Sequence, residues 1–280
     1  MGQIGVLFGE QGPDEAFGEL HARQTRHIWN WFDIGVVCSV MRIDVWSDVV
    51  CPFCYIGKRR LEQALAESGD SAEIVWHSFQ LDPSSSNDDP RDLPTRLGEK
   101  YGRDRAWGVQ ANEQVTLAAA EVGLEYHLED AKSANTLDAH RLLHLALEVQ
   151  TSGELPAGTQ SQLKERLLKA YFVDGLPVGD ADTLTTLAVE VGLPADRVAE
   201  VLAGTDYADD VAADQAQALA YGANGVPFFV IDQKYGVSGA QPLEVFQEAL
   251  RRANADRKPV TLITAPNSDD TTCGPDGCAI

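Results

Sequence analysis

No apolar run in this 280-residue chain approaches the roughly 18 residues that a membrane-spanning helix needs, so a helical membrane protein is not expected. Positive charge is scarce: 22 Lys and Arg stand against 43 Asp and Glu, a net charge of −21. Such a surface repels nucleic-acid phosphates and anionic membranes, which argues against both as partners. We read the acidity as a solubility device. The first 40 residues lack a basic stretch, with Arg23 the first cation, and the apolar run Ile34–Cys38 is short, late and without a clean cleavage site. A secretory leader is therefore not expected, and the protein is placed in the cytoplasm, where a disulfide is more often catalytic or sensing than structural. Residues 1–40 carry no fold pattern; they read as a leader or mis-assigned start, disordered, with a genuine extension as the alternative. No repeat of solenoid period occurs, and no His-Glu-x-x-His.

Cysteine is sparse as well, five in all, but two of them form Cys51-Pro52-Phe53-Cys54. The pair stands where a β-branched segment (Ile43, Val45, Val49, Val50) runs into a helical pattern (Lys58 to Glu67). A thiol at a helix N-terminus meets free backbone N–H groups and the positive end of the helix dipole, both of which favour its thiolate. Pro52 suits the first helical turn, where its missing N–H would be unpaired anyway. Cys54 lies one turn on and can close a disulfide, so chain order makes Cys51 the nucleophile and Cys54 the resolving thiol. Zinc needs four ligands, and the other close pair, Cys273 and Cys278, has a wider spacing than structural zinc prefers. Two inert buried thiols are the remaining alternative. Strand, Cys-Pro-x-Cys and helix in that order form a redox signature. Neither Pro52 nor Phe53 is ionisable, so the Cys51 pKa is expected to fall less than it would beside a histidine.

The chain then reads as strand (Arg42–Val50), helix (Pro52–Glu67) and strand (Glu73–Phe79), a parallel β-α-β unit. A turn-rich link, 82–90, follows. About seven helices are expected from Leu93 to Tyr221, two of them ending in the same Glu-Val-Gly-Leu, at Gly123 and Gly192, where glycine suits a left-handed stop. The β signal returns at Val226–Asp232, with a short antiparallel partner at Tyr235–Ser238, and Gln241-Pro242 opens a last helix. These readings define an α/β fold: residues 41–82 and 225–254 form one discontinuous domain, 83–224 an inserted helical domain, and 255–280 a flexible tail with Cys-x-x-x-x-Cys.

This order, with Ser47–Lys58, Asn135-Thr136, Ala139–Leu142, Gly225–Phe229 and Gly239–Gln241, resembles the thioredoxin fold of the DsbA class, in its FrnE-like branch, which is related to 2-hydroxychromene-2-carboxylate isomerases. The resemblance covers about residues 41–253. It implies a thioredoxin-like fold with a large all-helical insertion. It also implies a cis Val226–Pro227 bond facing Cys51, with Val226 and Pro227 binding the substrate backbone beside Pro52 and Phe53. It implies a protein disulfide oxidoreductase acting on protein thiols and disulfides, with no bound cofactor and no metal, and with glutathione or a thioredoxin system as redox partner. A glutathione-dependent isomerase or transferase is the alternative, although such relatives typically carry serine where Cys51 stands. A chaperone-like binding protein is a third. Asn135 and His140 are expected near the groove. His140 and His144, one turn apart, read as packing residues rather than metal ligands. Asp48 is either a proton-transfer group for Cys54 or a turn residue. Cys273 and Cys278, bridged by Gly274-Pro275-Asp276-Gly277, form either an auxiliary redox pair exchanging with Cys51 or an inert tail.

Overall fold

Alternation and β-branching shape the first strand. In the computed structural model, which describes residues 40–257, strand β1 runs Met41–Ser47. Met41, Ile43 and Val45 face one side of the sheet and Trp46 the other, as a two-residue period requires. The strand stops at Ser47, short of the Val50 that β-branching predicts. The reason is Asp48, whose Oδ1 accepts the Val49 N–H at 2.8 Å and turns the chain. The Cys51 N–H then bonds the Asp48 carbonyl at 3.4 Å, and α1 (Pro52–Ser68) begins. Strand β2 (Ala72–Ser78) returns parallel to β1, Met41 opposite Ala72. Strand β3 (Phe228–Ile231) runs antiparallel between β1 and β4 (Tyr235–Ser238), completing a sheet of order β2-β1-β3-β4. The β3–β4 connection has Asp232 and Gln233 at positive φ (49° and 56°) and a Lys234 N–H to Ile231 carbonyl bond of 3.0 Å. That is a tight hairpin turn with two left-handed residues and no glycine; Asp232 is held by the Arg42 N–H at 3.0 Å and by the Arg257 guanidinium.

Seven helices fill the span between β2 and β3: α2 (Leu93–Lys100), α3 (Arg105–Ala120), α4 (Leu137–Thr151), α5 (Thr159–Phe172), α6 (Ala181–Glu190), α7 (Ala195–Ala203) and α8 (Ala208–Ala220). The two Glu-Val-Gly-Leu segments behave alike. Gly123 and Gly192 are left-handed at φ 75° and 94°, and the following leucine N–H reaches back to Ala119 (3.0 Å) and Ala188 (3.1 Å). This is the Schellman closure that only glycine adopts without strain. Helix α9 (Leu243–Asp256) closes the chain.

Three apolar clusters hold these layers together. Leu61, Ala64, Phe246 and Leu250 of α1 and α9 cover one sheet face. Ala218 of α8 packs with Trp46, Phe228 and Val230 on the other. The largest cluster joins the insert helices to Val49, Tyr55 and Ile56, so the start of α1 is packed into the insert's core. Strand β2 is a sheet edge, and its outward backbone groups need partners. Gln160 of α5 supplies them, accepting the Trp76 N–H at 2.9 Å and donating to the Trp76 carbonyl at 2.8 Å, while Asp214 accepts the Ser78 N–H at 2.8 Å. The insert thus grips the strand beside the one that leads to Cys51.

Candidate active site

The end of β1 and the start of α1 place the dithiol. Cys51 is the residue just before the helix, in extended conformation, and its carbonyl accepts the Cys54 N–H at 3.0 Å. Both sulfurs are free thiols and both residues are buried. Pro52 is the first helical residue, and its carbonyl accepts the Tyr126 hydroxyl at 2.7 Å. Tyr126 stacks on both Tyr55 and Phe172, which also meet each other, so the insert clamps the first turn of α1 from outside. Phe53 projects outward, 50% exposed.

The Val226–Pro227 peptide is cis, as the resemblance implied. The Val226 carbonyl accepts a contact from the Cys51 Sγ at 3.5 Å, and Pro227 is buried against α1. Gly57 makes that approach possible, since a Cβ there would lie 3.0 Å from the Pro227 ring and 3.1 Å from Phe229. A cavity of about 950 Å³ opens beside Cys51, bordered by Pro52, Phe53 and Val226 on one side and by Leu97, Trp107 and Val115 of the insert on the other.

Beneath the thiols lies a buried polar shell. Asp48 Oδ2 accepts the Leu81 N–H at 2.8 Å, and Oδ1 accepts from His140 Nε2 at 3.2 Å as well as from Val49. Burial works against its charge. The His140 hydrogen bond, the Leu81 amide and the Lys164 ammonium outweigh burial and hold the carboxyl below its ordinary pKa. Burial depresses the His140 pKa despite Asp48, so the imidazole is neutral; facing an ionised acceptor, Nε2 carries its proton and Nδ1 has no partner. Lys164 of α5 is fully buried, with Nζ donating to the Ser47 carbonyl at 3.2 Å and lying 5.7 Å from the Trp76 ring centre. Burial pulls its pKa down to about 8 against the opposing pull of Cys54, Asp48 and Cys51.

The two thiols neighbour each other and titrate as a pair. Burial opposes a thiolate at Cys54, but Cys51, the Lys164 charge and the Ser47 and Asp48 surroundings favour it and bring that pKa below a free thiol's. Neighbouring Cys54 and burial push Cys51 up in turn. The helix N-terminus alone pointed to a lowered pKa at Cys51; the buried Lys164 is a second source of positive charge for the pair, and it favours a thiolate from the Cys54 side.

The remaining expected residues separate. Asn135 fastens the turn-rich link rather than lining the cavity: its amide donates to the Pro83 and Ser85 carbonyls at 3.1 and 3.2 Å, while its neighbours Ala134 and Thr136 reach the cavity wall. His140 is engaged with Asp48. His144 bonds Ser78 and Asp214, each at 3.1 Å. Among the described residues no group of three or more His, Cys, Asp or Glu is arranged to hold a metal ion. Cys273 and Cys278 lie outside the described residues.

Lys164 and Tyr126 were missed by sequence reasoning. Lys164 did leave a trace: Gln160, Leu163, Lys164, Leu167, Leu168 and Tyr171 fall on one helical face, so a lysine occupies a slot that the 3.6-residue period assigns to the core. Tyr126 lies in a loop and leaves no such pattern.

A four-stranded mixed sheet, a dithiol at the first helix and a cis-proline opposite it define a thioredoxin-fold protein with a helical insertion. Residues 42–251 match the DSBA-like thioredoxin domain family, and the chain belongs to that family. It is similar to a probable DsbA oxidoreductase of Streptomyces coelicolor, with 43% identity, a TM-score of 0.71, and coverage of 86% of this chain and 99% of that one. An uncharacterized Bacillus subtilis (strain 168) protein, YwbO, is 30% identical over 217 residues, 75% of this chain and 96% of YwbO. A 2-hydroxychromene-2-carboxylate isomerase shares the fold at 15% identity and a TM-score of 0.54, covering 78% of this chain and 99% of its own.

Proposed function

We propose that this member of the thiol–disulfide oxidoreductase family forms, reduces or isomerises disulfides of protein substrates in the cytoplasm, through the Cys51–Cys54 dithiol. The observation that carries the reading is the geometry of the pair: two free thiols one turn apart at a helix start, with the Cys51 sulfur 3.5 Å from the Val226 carbonyl. In the reducing direction Cys51 attacks one sulfur of a substrate disulfide as the thiolate, its proton passing to Cys54, and the other substrate sulfur leaves as a thiolate that takes up a proton from solvent. Cys54 then gives up its proton and attacks the Cys51 sulfur, the second substrate sulfur leaves as a thiolate that takes up a proton, and the enzyme keeps a Cys51–Cys54 disulfide. Two electrons pass to substrate, with one proton from the dithiol and one from solvent; the oxidising direction runs these steps backwards. Val226 and Pro227 would pair with the substrate backbone, and exposed Phe53 offers an apolar contact for an unfolded segment. Glutathione or a thioredoxin system would restore the starting state. The cytoplasmic placement and a place in the FrnE-like branch belong to the same proposal; the sequence motif set supports the branch.

The test is turnover of a disulfide-bonded peptide. Cys51→Ser should abolish it, and Cys54→Ser should stall it as a mixed disulfide between Cys51 and the peptide, visible by mass. Undiminished turnover in Cys51→Ser would remove the reading. The cavity of about 950 Å³ beside Cys51 favours a second reading, a glutathione-dependent isomerase or transferase on a small molecule. In that case Cys54→Ser keeps full activity with glutathione supplied.

A further inference from the structure

Lys164 is a fully buried cation carried by the helical insert, not by the thioredoxin-like elements. An ammonium has three N–H donors, and a buried one needs acceptors or a counter-charge. Lys164 has one hydrogen-bond acceptor, the Ser47 carbonyl, and among the described residues it forms no ion pair. The other buried lysine nearby, Lys58, is satisfied quite differently, by Glu62 at 2.5 Å and Glu165 at 2.7 Å. Ser47 is the last residue of β1, directly before Asp48 and the turn into Cys51, so the Lys164 ammonium sits under the dithiol loop. The charged and titratable groups facing it are Cys51 and Cys54 at the start of α1, Asp48 in the turn, Lys58 further along α1 and His140 on α4. Of these, Asp48 already accepts from Val49, Leu81 and His140, Lys58 is a like charge, and His140 is neutral. The anion left for Lys164 is the dithiol's.

We propose that Lys164 is the counter-charge of the reduced dithiol, a positioning residue that stabilises the pair's thiolate from the Cys54 side. The cation favours the reduced pair, because closing the disulfide removes the one anion that, among the described residues facing Lys164, is not otherwise engaged, and strands the ammonium in a dry interior. The insert therefore tunes the redox pair electrostatically as well as shaping the groove. Lys164 touches no substrate, and it acts through Cys54. The lowered Lys164 and Cys54 pKa values agree with this placement. The inference rests on the dithiol reading, but its tests use reduced protein and need no disulfide to form, so the two can fail separately.

The first test is thiolate absorbance across pH in the reduced full-length protein and in Lys164→Met, both checked for folding by circular dichroism. The expected result is a midpoint about one pH unit higher in the variant, which is about tenfold less thiolate at a given pH below both midpoints. An unchanged midpoint overturns the proposal. Should Lys164→Met fail to fold, the Lys164 Nζ resonance is followed across pH in the reduced wild-type protein and in Cys54→Ser. A titration midpoint displaced to lower pH in Cys54→Ser supports the pairing; the same midpoint in both overturns it. A lysine buried for packing alone would leave both readouts unmoved.

Discussion

Asp48 supports its surroundings with two carboxylate oxygens and three donors: Val49, Leu81 and His140. Removing such an acceptor leaves buried donors unpaired, each at about 1–3 kcal/mol. Asp48→Ala should therefore cost on the order of 3 kcal/mol, read as a lower urea midpoint; a change within about 0.5 kcal/mol, the size of an ordinary surface substitution, would show the contacts to be incidental. Its folded pKa lies below the ordinary carboxylate value, so its contribution is present above that value and fades as the pH falls through the folded pKa. At this scale Cys51 and Cys54 were legible from their placement alone. Lys164 was not, because a lysine in a helix is read as solvated unless its position on the apolar face is weighed, and its role depends on a neighbour more than a hundred residues away in the chain. Asn135 shows the converse. Its motif points to the groove, yet its side-chain amide holds the Pro83 and Ser85 carbonyls of the link and its backbone N–H holds Asn87.

Between elements, the contact of α1 with the cis-proline segment depends on Gly57. An added Cβ would press on Pro227 and Phe229, and overpacking of this kind costs about 1–3 kcal/mol. Gly57→Ala is expected to lose stability in that range and to slow disulfide turnover as the Val226 carbonyl moves from Cys51; wild-type kinetics would show that the gap yields freely. A second contact joins the insert to the sheet through His77. Its ring lies between Asp214 at 2.7 Å and Asp44 at 2.9 Å and stacks on Trp46 at 4.5 Å. Burial would lower its pKa, but the two carboxylates overcome this and raise it to about 9. The imidazolium's contribution, on the order of 3 kcal/mol, is fully present below the unfolded value of about 6.5 and is lost as the pH rises through about 9. The urea midpoint should fall across that window in the wild type and much less in His77→Phe; parallel profiles would refute it. Helix order and hairpin direction were legible here, since apolar periodicity and the Gly123 and Gly192 stops are local signals. The His77 bridge was not, because it joins residues from β1, β2 and α8 that no spacing rule connects.

For the whole molecule the surplus of 43 acidic over 22 basic residues sets a field. Self-repulsion of that size destabilises a compact chain and is screened by salt. The thermal midpoint should rise between about 10 and 150 mM salt, a range over which the Debye length falls from about 30 to about 8 Å, and disulfide exchange should be faster with basic than with acidic peptides, the difference shrinking as salt is added. Equal rates for the two peptides would mean that the field does not reach the dithiol. The α/β order and the long helical interruption were legible at this scale from β patterns at the two ends of the domain. That the insert's core continues into Val49, Tyr55 and Ile56 was not, because burial against a distant helix leaves the same apolar residues in the sequence as burial against the sheet. The central claim, that Cys51 and Cys54 form a working redox pair, is tested most directly by equilibrating the full-length protein across a glutathione redox series and mapping disulfides peptide by peptide. The account predicts a Cys51–Cys54 disulfide with one midpoint, near about −200 mV or above for an oxidant or isomerase and near about −270 mV for a reductase. A pair that stays reduced, or carries only glutathione adducts, across the whole series would contradict it.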